Sequence, residues 1–160
     1  MKLLGIDPGL TIGWGVIEAL PDGDRYIAGG GHTGYGAHLH DKLADLAYEV
    51  GTLKGRFHVE AVAIEDMFVS PRVITSAVKV GKAYGAMVIG LTRQGLLVVD
   101  YTPSAIKKAV GAPGNAKKDR VRAEGVGLLD VPTTWESHRY DALAAAIALG
   151  ATLREQGQLG

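Results

Sequence analysis

The stretch Leu3-Leu4-Gly5-Ile6-Asp7-Pro8-Gly9 decides the fold. Four apolar or small residues run straight into a carboxylate, and Pro8-Gly9 then turns the chain, because proline fixes φ and glycine accepts backbone angles other residues avoid. The stretch therefore reads as a buried strand over residues 2–7 with an acid at its end. Ala61-Val62-Ala63-Ile64-Glu65 repeats the pattern. An acid at the end of a buried strand is costly unless something pairs with it. If the two strands lie side by side and parallel, Asp7 and Glu65 meet at one edge of a sheet. His138 and Asp141 stand three residues apart at the start of an Ala-rich helix, so they share a helical face. Two strand-end acids and this His-x-x-Asp pair suggest a divalent-cation site. Its oxygen-rich donor set suits magnesium or manganese.

Working outward, residues 12–19 and 25–33 read as strands joined by a hairpin at Pro21-Asp22-Gly23-Asp24. Leu39, Leu43, Leu46, Val50 and Leu53 recur at helical spacing over 39–54. A fourth strand covers 59–65. Pro71 opens a helix over 72–93, with Ala77, Val80, Tyr84, Met87 and Leu91 along one stripe. A fifth strand covers 96–101, and helices follow over 103–110, 116–129 and 138–154. The first three strands imply an antiparallel meander, and those separated by helices imply parallel crossovers. The expected fold is α/β: a mixed five-stranded sheet flanked by helices. Residues 1–155 are expected to form a single domain, with 156–160 as a frayed tail.

The 160 residues suit one ordinary domain, and 47% of them are hydrophobic, enough for a real core. The absence of cysteine excludes disulfides, thiolate zinc sites and cysteine nucleophiles. No apolar run approaches the ~18–20 residues that span a membrane, and no signal peptide is visible, so a cytoplasmic protein is expected. A net charge of zero hides an asymmetry. From Arg72 to Arg122 ten basic residues face two acids, a balance of +8, and the remainder of the chain carries −8. Such a block suits a polyanion. The basic residues of this block that could meet such a partner, and that the resemblance described next turns into candidate DNA contacts, are Arg72, Lys79, Lys82, Lys107, Lys108, Lys117, Lys118 and Arg120.

In order and spacing, the pieces Gly5–Gly9, Ile64–Phe68, Ser76–Gly85, Ile106–Gly111, Gly114–Lys118 and Asp141–Ala144 closely resemble the RuvC family of Holliday junction resolvases. The likeness covers about residues 2–150. It implies a ribonuclease-H-like fold, a homodimer and an endonuclease that nicks four-way DNA junctions symmetrically during recombination and repair. It also implies four catalytic metal ligands, which fall on Asp7, Glu65, His138 and Asp141. Two divalent ions, Mg2+ or Mn2+, would sit ~3.5–4 Å apart and hydrolyse a phosphodiester to 5′-phosphate and 3′-hydroxyl ends. Asp7 would bridge them, with Glu65 on one and His138 and Asp141 on the other. Lys107 and Lys118 match backbone-contacting positions, and Phe68 matches an aromatic that stacks on an unpaired base. The helix at 72–93 resembles the dimer helix, and a partnership with the RuvA–RuvB branch-migration complex follows from the family.

Three features depart from the family pattern. His138 stands where many members have aspartate, which should favour manganese. Arg139-Tyr140 replaces smaller residues, and Val69-Ser70-Pro71-Arg72 lacks an Asn.

Each ligand alone has a plainer reading: Asp7 as a turn acid, Glu65 as a partner for Lys2 or an arginine, His138 as a helix cap. Phe68 alone reads as core, and Trp14 and Trp135 read as packing residues. Gly29-Gly30-Gly31-His32-Thr33-Gly34 fits a dinucleotide-binding spacing without the strand-turn-helix setting it needs. His32, His38 and His40 with Asp41 read as solvated loop residues. Rival functions are an RNA-processing nuclease on the same fold, an actin-like ATP-binding domain and a DNA-binding module without activity.

Overall fold

A computed structural model describes residues 1–66, 74–111, 129, 131 and 134–159. The five strands are β1 (Lys2–Asp7), β2 (Thr11–Leu20), β3 (Gly23–Thr33), β4 (Ala61–Glu65) and β5 (Leu97–Tyr101). The described helices are α1 (Leu39–Phe57), α2 (Ile74–Thr92), α3 (Pro103–Ala109) and α4 (Ser137–Glu155). The sheet order is β3-β2-β1-β4-β5. β1–β2 and β2–β3 pair antiparallel, while β1–β4 and β4–β5 pair parallel. The mixed sheet expected from the hairpin and crossover spacing is therefore present. The expected helix at 116–129 lies outside the described residues except for Leu129.

The two-residue period of the strands divides the core into two layers. Leu4, Ile6, Val62 and Ile64 face α1 and α2 and meet Leu46, Val50, Leu53, Met87 and Leu91. Leu3, Ala61 and Ala63 face α4 and meet Ala142, Ala145, Ala146 and Leu149. Asp7 and Glu65 have odd numbers like Leu3 and Ala63, so both fall on the α4 face. On α2 the buried stripe is Ala83, Met87 and Leu91. Tyr84, expected in that stripe, is only half-buried, and its hydroxyl donates to Asp100 on β5. Burial first, then this bond and the charge of Asp66 raise the Tyr84 pKa and keep the phenol neutral.

Helix α4 lies unusually close to the sheet because the strands beneath it carry glycine. A Cβ on Gly5 would stand 1.8 Å from the Ala142 carbonyl oxygen, and one on Gly13 1.9 Å from that of His138. No larger residue fits at either place without moving the helix. At the far end, Arg154 forks onto Asp24, with Nη1 donating to Oδ1 at 2.6 Å and Nη2 to Oδ2 at 2.9 Å. The Asp24 carboxylate in turn holds the Arg154 pKa up. The helix is thereby tied to the β2–β3 turn.

Beyond α4, Gly157 donates to Arg154 O, Gln158 to Leu153 O, and Leu159 packs on the core. The reversal at Gly157, with φ +66°, directs Leu159 back to apolar surface. His32 is not a loop residue. It lies in β3, and its Nε2 donates to Asp45 Oδ2 on α1 at 2.6 Å. Gly29 to Gly31 lie within the same strand, with Trp14 packed against Gly30.

Two outcomes follow from this packing. Gly13→Ala should lower unfolding free energy by about 1–3 kcal/mol, the usual cost of overpacking, measured by denaturant titration. The bond from His32, followed by that from the Tyr35 amide, lowers the Asp45 pKa. A depressed carboxylate stabilises the fold above its ordinary value near ~3.9, and this contribution is lost as pH falls through the folded value. Asp45→Asn should therefore be less stable than the parent at pH 7, with the difference vanishing towards pH 2 in thermal melts.

Candidate metal centre and nucleic-acid interface

The β1–β4 register pairs Leu3 with Ala61, Gly5 with Ala63 and Ile6 with Ile64. One further step sets Asp7 beside Glu65, at the ends of adjacent parallel strands. Both are half-buried. Gly13 lies opposite Asp7 on β2 and admits the His138 backbone. This contact brings the first turn of α4 over the same edge. His138 Nδ1 lies 2.6 Å from Asp7 Oδ2, joining residues 131 positions apart. In the neutral tautomer that donates from Nδ1 to the carboxylate, Nε2 keeps its lone pair. The Asp7 side chain is 15% exposed and the His138 ring 46%. Asp141 follows one turn along α4 and is also half-buried.

Helix and strand ligands thus meet, but the four do not form a finished cage. Among the described residues, no three acidic or histidine side chains form a group able to hold a metal ion. A hydrogen bond joins Asp7 of the strand to His138 of the helix. The donor set still suits a hard divalent cation, since it offers three carboxylates and an imidazole with an available lone pair.

An aromatic bracket fixes the start of α4. Trp135 lies between Tyr26 of β3 and Tyr140 of α4, at ring-centroid distances of 5.4 and 5.7 Å. The Trp135 amide donates to the Tyr140 hydroxyl at 3.1 Å, and the Arg139 guanidinium lies 5.8 Å over the Trp135 ring. The departure at Arg139-Tyr140 therefore has a packing role, and Trp135 is a packing residue as expected. Trp14 is too, buried against Phe57. The sequence reading missed Gly13 as a residue supporting the site. Its signal was present, since Gly13 and Gly15 alternate with large apolar residues in Ile12-Gly13-Trp14-Gly15-Val16.

Of the candidate DNA contacts, Lys79 and Lys82 are exposed on α2, three residues apart. On α3, Lys107 is half-buried and Lys108 exposed. Phe68, Arg72, Lys117, Lys118 and Arg120 lie outside the described residues. No described helix is long and apolar enough to cross a membrane.

The family model "Crossover junction endodeoxyribonuclease RuvC" matches residues 3–149. The RuvC crossover junction endodeoxyribonuclease of Rhodospirillum rubrum is 41% identical over 156 residues, covering 92% of this chain and 88% of that protein. The solved Thermus thermophilus RuvC superposes with a TM-score of 0.85 at 30% identity, covering 99% of this chain and 98% of that one. T. thermophilus RuvC in complex with Holliday junction substrate gives a TM-score of 0.83 at 28% identity, covering 99% and 97%. The ribonuclease-H-like sheet is shared with these structures. With its sheet and nearly its whole length in agreement, this chain belongs to the RuvC family of crossover junction endodeoxyribonucleases.

Proposed function

We propose that this Holliday junction resolvase hydrolyses DNA phosphodiesters with two divalent cations, Mg2+ or Mn2+, held by Asp7, Glu65, His138 and Asp141. Endonuclease action on DNA crossovers is the family's activity. The observation that carries the metal assignment is the 2.6 Å approach of His138 Nδ1 to Asp7 Oδ2. It joins the strand ligands to the helix ligands at the one sheet edge where β1 and β4 both end in acids. When bound, the cations polarise the phosphate and lower the pKa of the attacking water. Asp7 and Glu65 from the strand ends, with His138 and Asp141 from the helix, would hold them. Attack of water on phosphorus forms one P–O bond and breaks the bond to the 3′ oxygen. The products are a 5′-phosphate and a 3′-hydroxyl.

The substrate in this reading is a four-way DNA junction. Lys79, Lys82, Lys107 and Lys108, together with Phe68, Arg72, Lys117, Lys118 and Arg120, hold it by charge and stacking. Contacts of this kind position a duplex without reading its sequence. The active unit is a homodimer formed through α2, whose Ile74 and Val78, one turn apart, are 60% and 51% exposed. A two-fold dimer matches the symmetry of the junction. The nuclease occupies residues 1–155, works in the cytoplasm and receives its junction from the RuvA–RuvB complex.

A synthetic four-way junction, with linear duplex as control, tests the reaction in Mg2+ and in Mn2+. Paired symmetric nicks are expected in the junction alone. Asp7→Asn should slow cleavage by more than about 100-fold, since losing even an outer partner of a metal ligand costs roughly 10–100-fold. Cleavage should be faster in Mn2+ than in Mg2+ at equal free concentration, and equal rates would remove the role given to His138. Val78→Asp should convert the dimer to a monomer in sedimentation velocity, with the far-ultraviolet spectrum unchanged.

A further inference from the structure

At the catalytic edge, β3 ends at Thr33, opposite Thr11 where β2 begins. The Gly34 amide donates to Leu10 O at 2.9 Å, three residues beyond Asp7. The next residue, Tyr35, is 82% exposed, more than any other large apolar or aromatic side chain among the described residues. Its backbone, by contrast, is held firmly. The Tyr35 amide donates to Asp45 Oδ2 at 2.9 Å, and His32 donates to the same oxygen at 2.6 Å. Gly36 follows with φ +131°, and a Cβ there would stand 2.2 Å from that of Asp41. The fold therefore fixes this turn tightly while leaving the Tyr35 ring in solvent. No aromatic or hydrogen-bonding partner of the ring is found among the described residues. An aromatic ring presented from a fixed backbone loses little conformational freedom when it stacks on a planar partner.

From this geometry we infer that Tyr35 is a second base-stacking contact for junction DNA, on the β3–α1 side of the metal centre. The inference rests on the junction-resolving function proposed above. Its ligand is an unpaired or unstacked nucleobase close to the scissile phosphate, since every base offers a π face whatever its sequence. Tyr35 is thus a binding residue, and it has no part in holding the cations.

The test measures affinity for a synthetic four-way junction and for linear duplex, without divalent metal, for the parent, Tyr35→Ala and Tyr35→Phe. Loss of one stacked base should weaken junction binding by roughly 5- to 100-fold in Tyr35→Ala. Tyr35→Phe should bind like the parent, duplex affinity should change little, and all three proteins should melt alike. A junction carrying 2-aminopurine at the crossover should show less quenching with Tyr35→Ala. Unchanged junction affinity in Tyr35→Ala, with the parent binding normally, would overturn the inference and leave the resolvase reading intact. A parent that neither binds nor cuts junctions would overturn both.

Discussion

The close approach of α4 to the glycine-bearing face of β1 and β2 is the constraint on which the site depends. Alanine on the helix and glycine on the strands let the two backbones come almost into contact, with the Ala142 and His138 carbonyls directly over Gly5 and Gly13. That proximity lets a side chain as short as Asp7 reach the imidazole of His138. A helix seated further out on leucine or valine would leave Asp7 and His138 too far apart to meet. The Arg154–Asp24 fork at one end and the Tyr26–Trp135–Tyr140 bracket at the other keep the helix from sliding along the sheet.

The same face also explains the distribution of charge. Asp7 and Glu65 lie beside apolar residues of like parity, so the strand pattern delivers two carboxylates to one partly shielded edge. Such acids are stabilised by opposite charge or by hydrogen bonds to their ionised form. The imidazole of His138 supplies one such bond. Acids drawn together at one edge repel one another unless an opposite charge lies between them.

Much of this was legible in the sequence. The strand-end acids, the two-residue alternation in Leu3 to Asp7 and Ala61 to Glu65, and the three-residue step from His138 to Asp141 led to the sheet and to the residues at its edge. Glycine was less legible. Gly5 and Gly13 matter only because α4 crosses above them, and that crossing is a tertiary fact. The bracket around Trp135 escaped for the same reason, since Tyr26 lies more than a hundred residues earlier in the chain. His32 looked like a loop residue because its glycine neighbours suggested a weak strand, yet pairing along β2 keeps it in the sheet.

The central claim is that strand and helix ligands converge on divalent cations at this edge. A crystal soaked in Mn2+ and measured at the manganese absorption edge tests it most directly. The account predicts anomalous density for two ions, with Asp7 touching both, Glu65 touching one, and His138 and Asp141 the other. Fully occupied manganese elsewhere, with the Asp7–His138 bond still in place and no density beside Glu65, would contradict it.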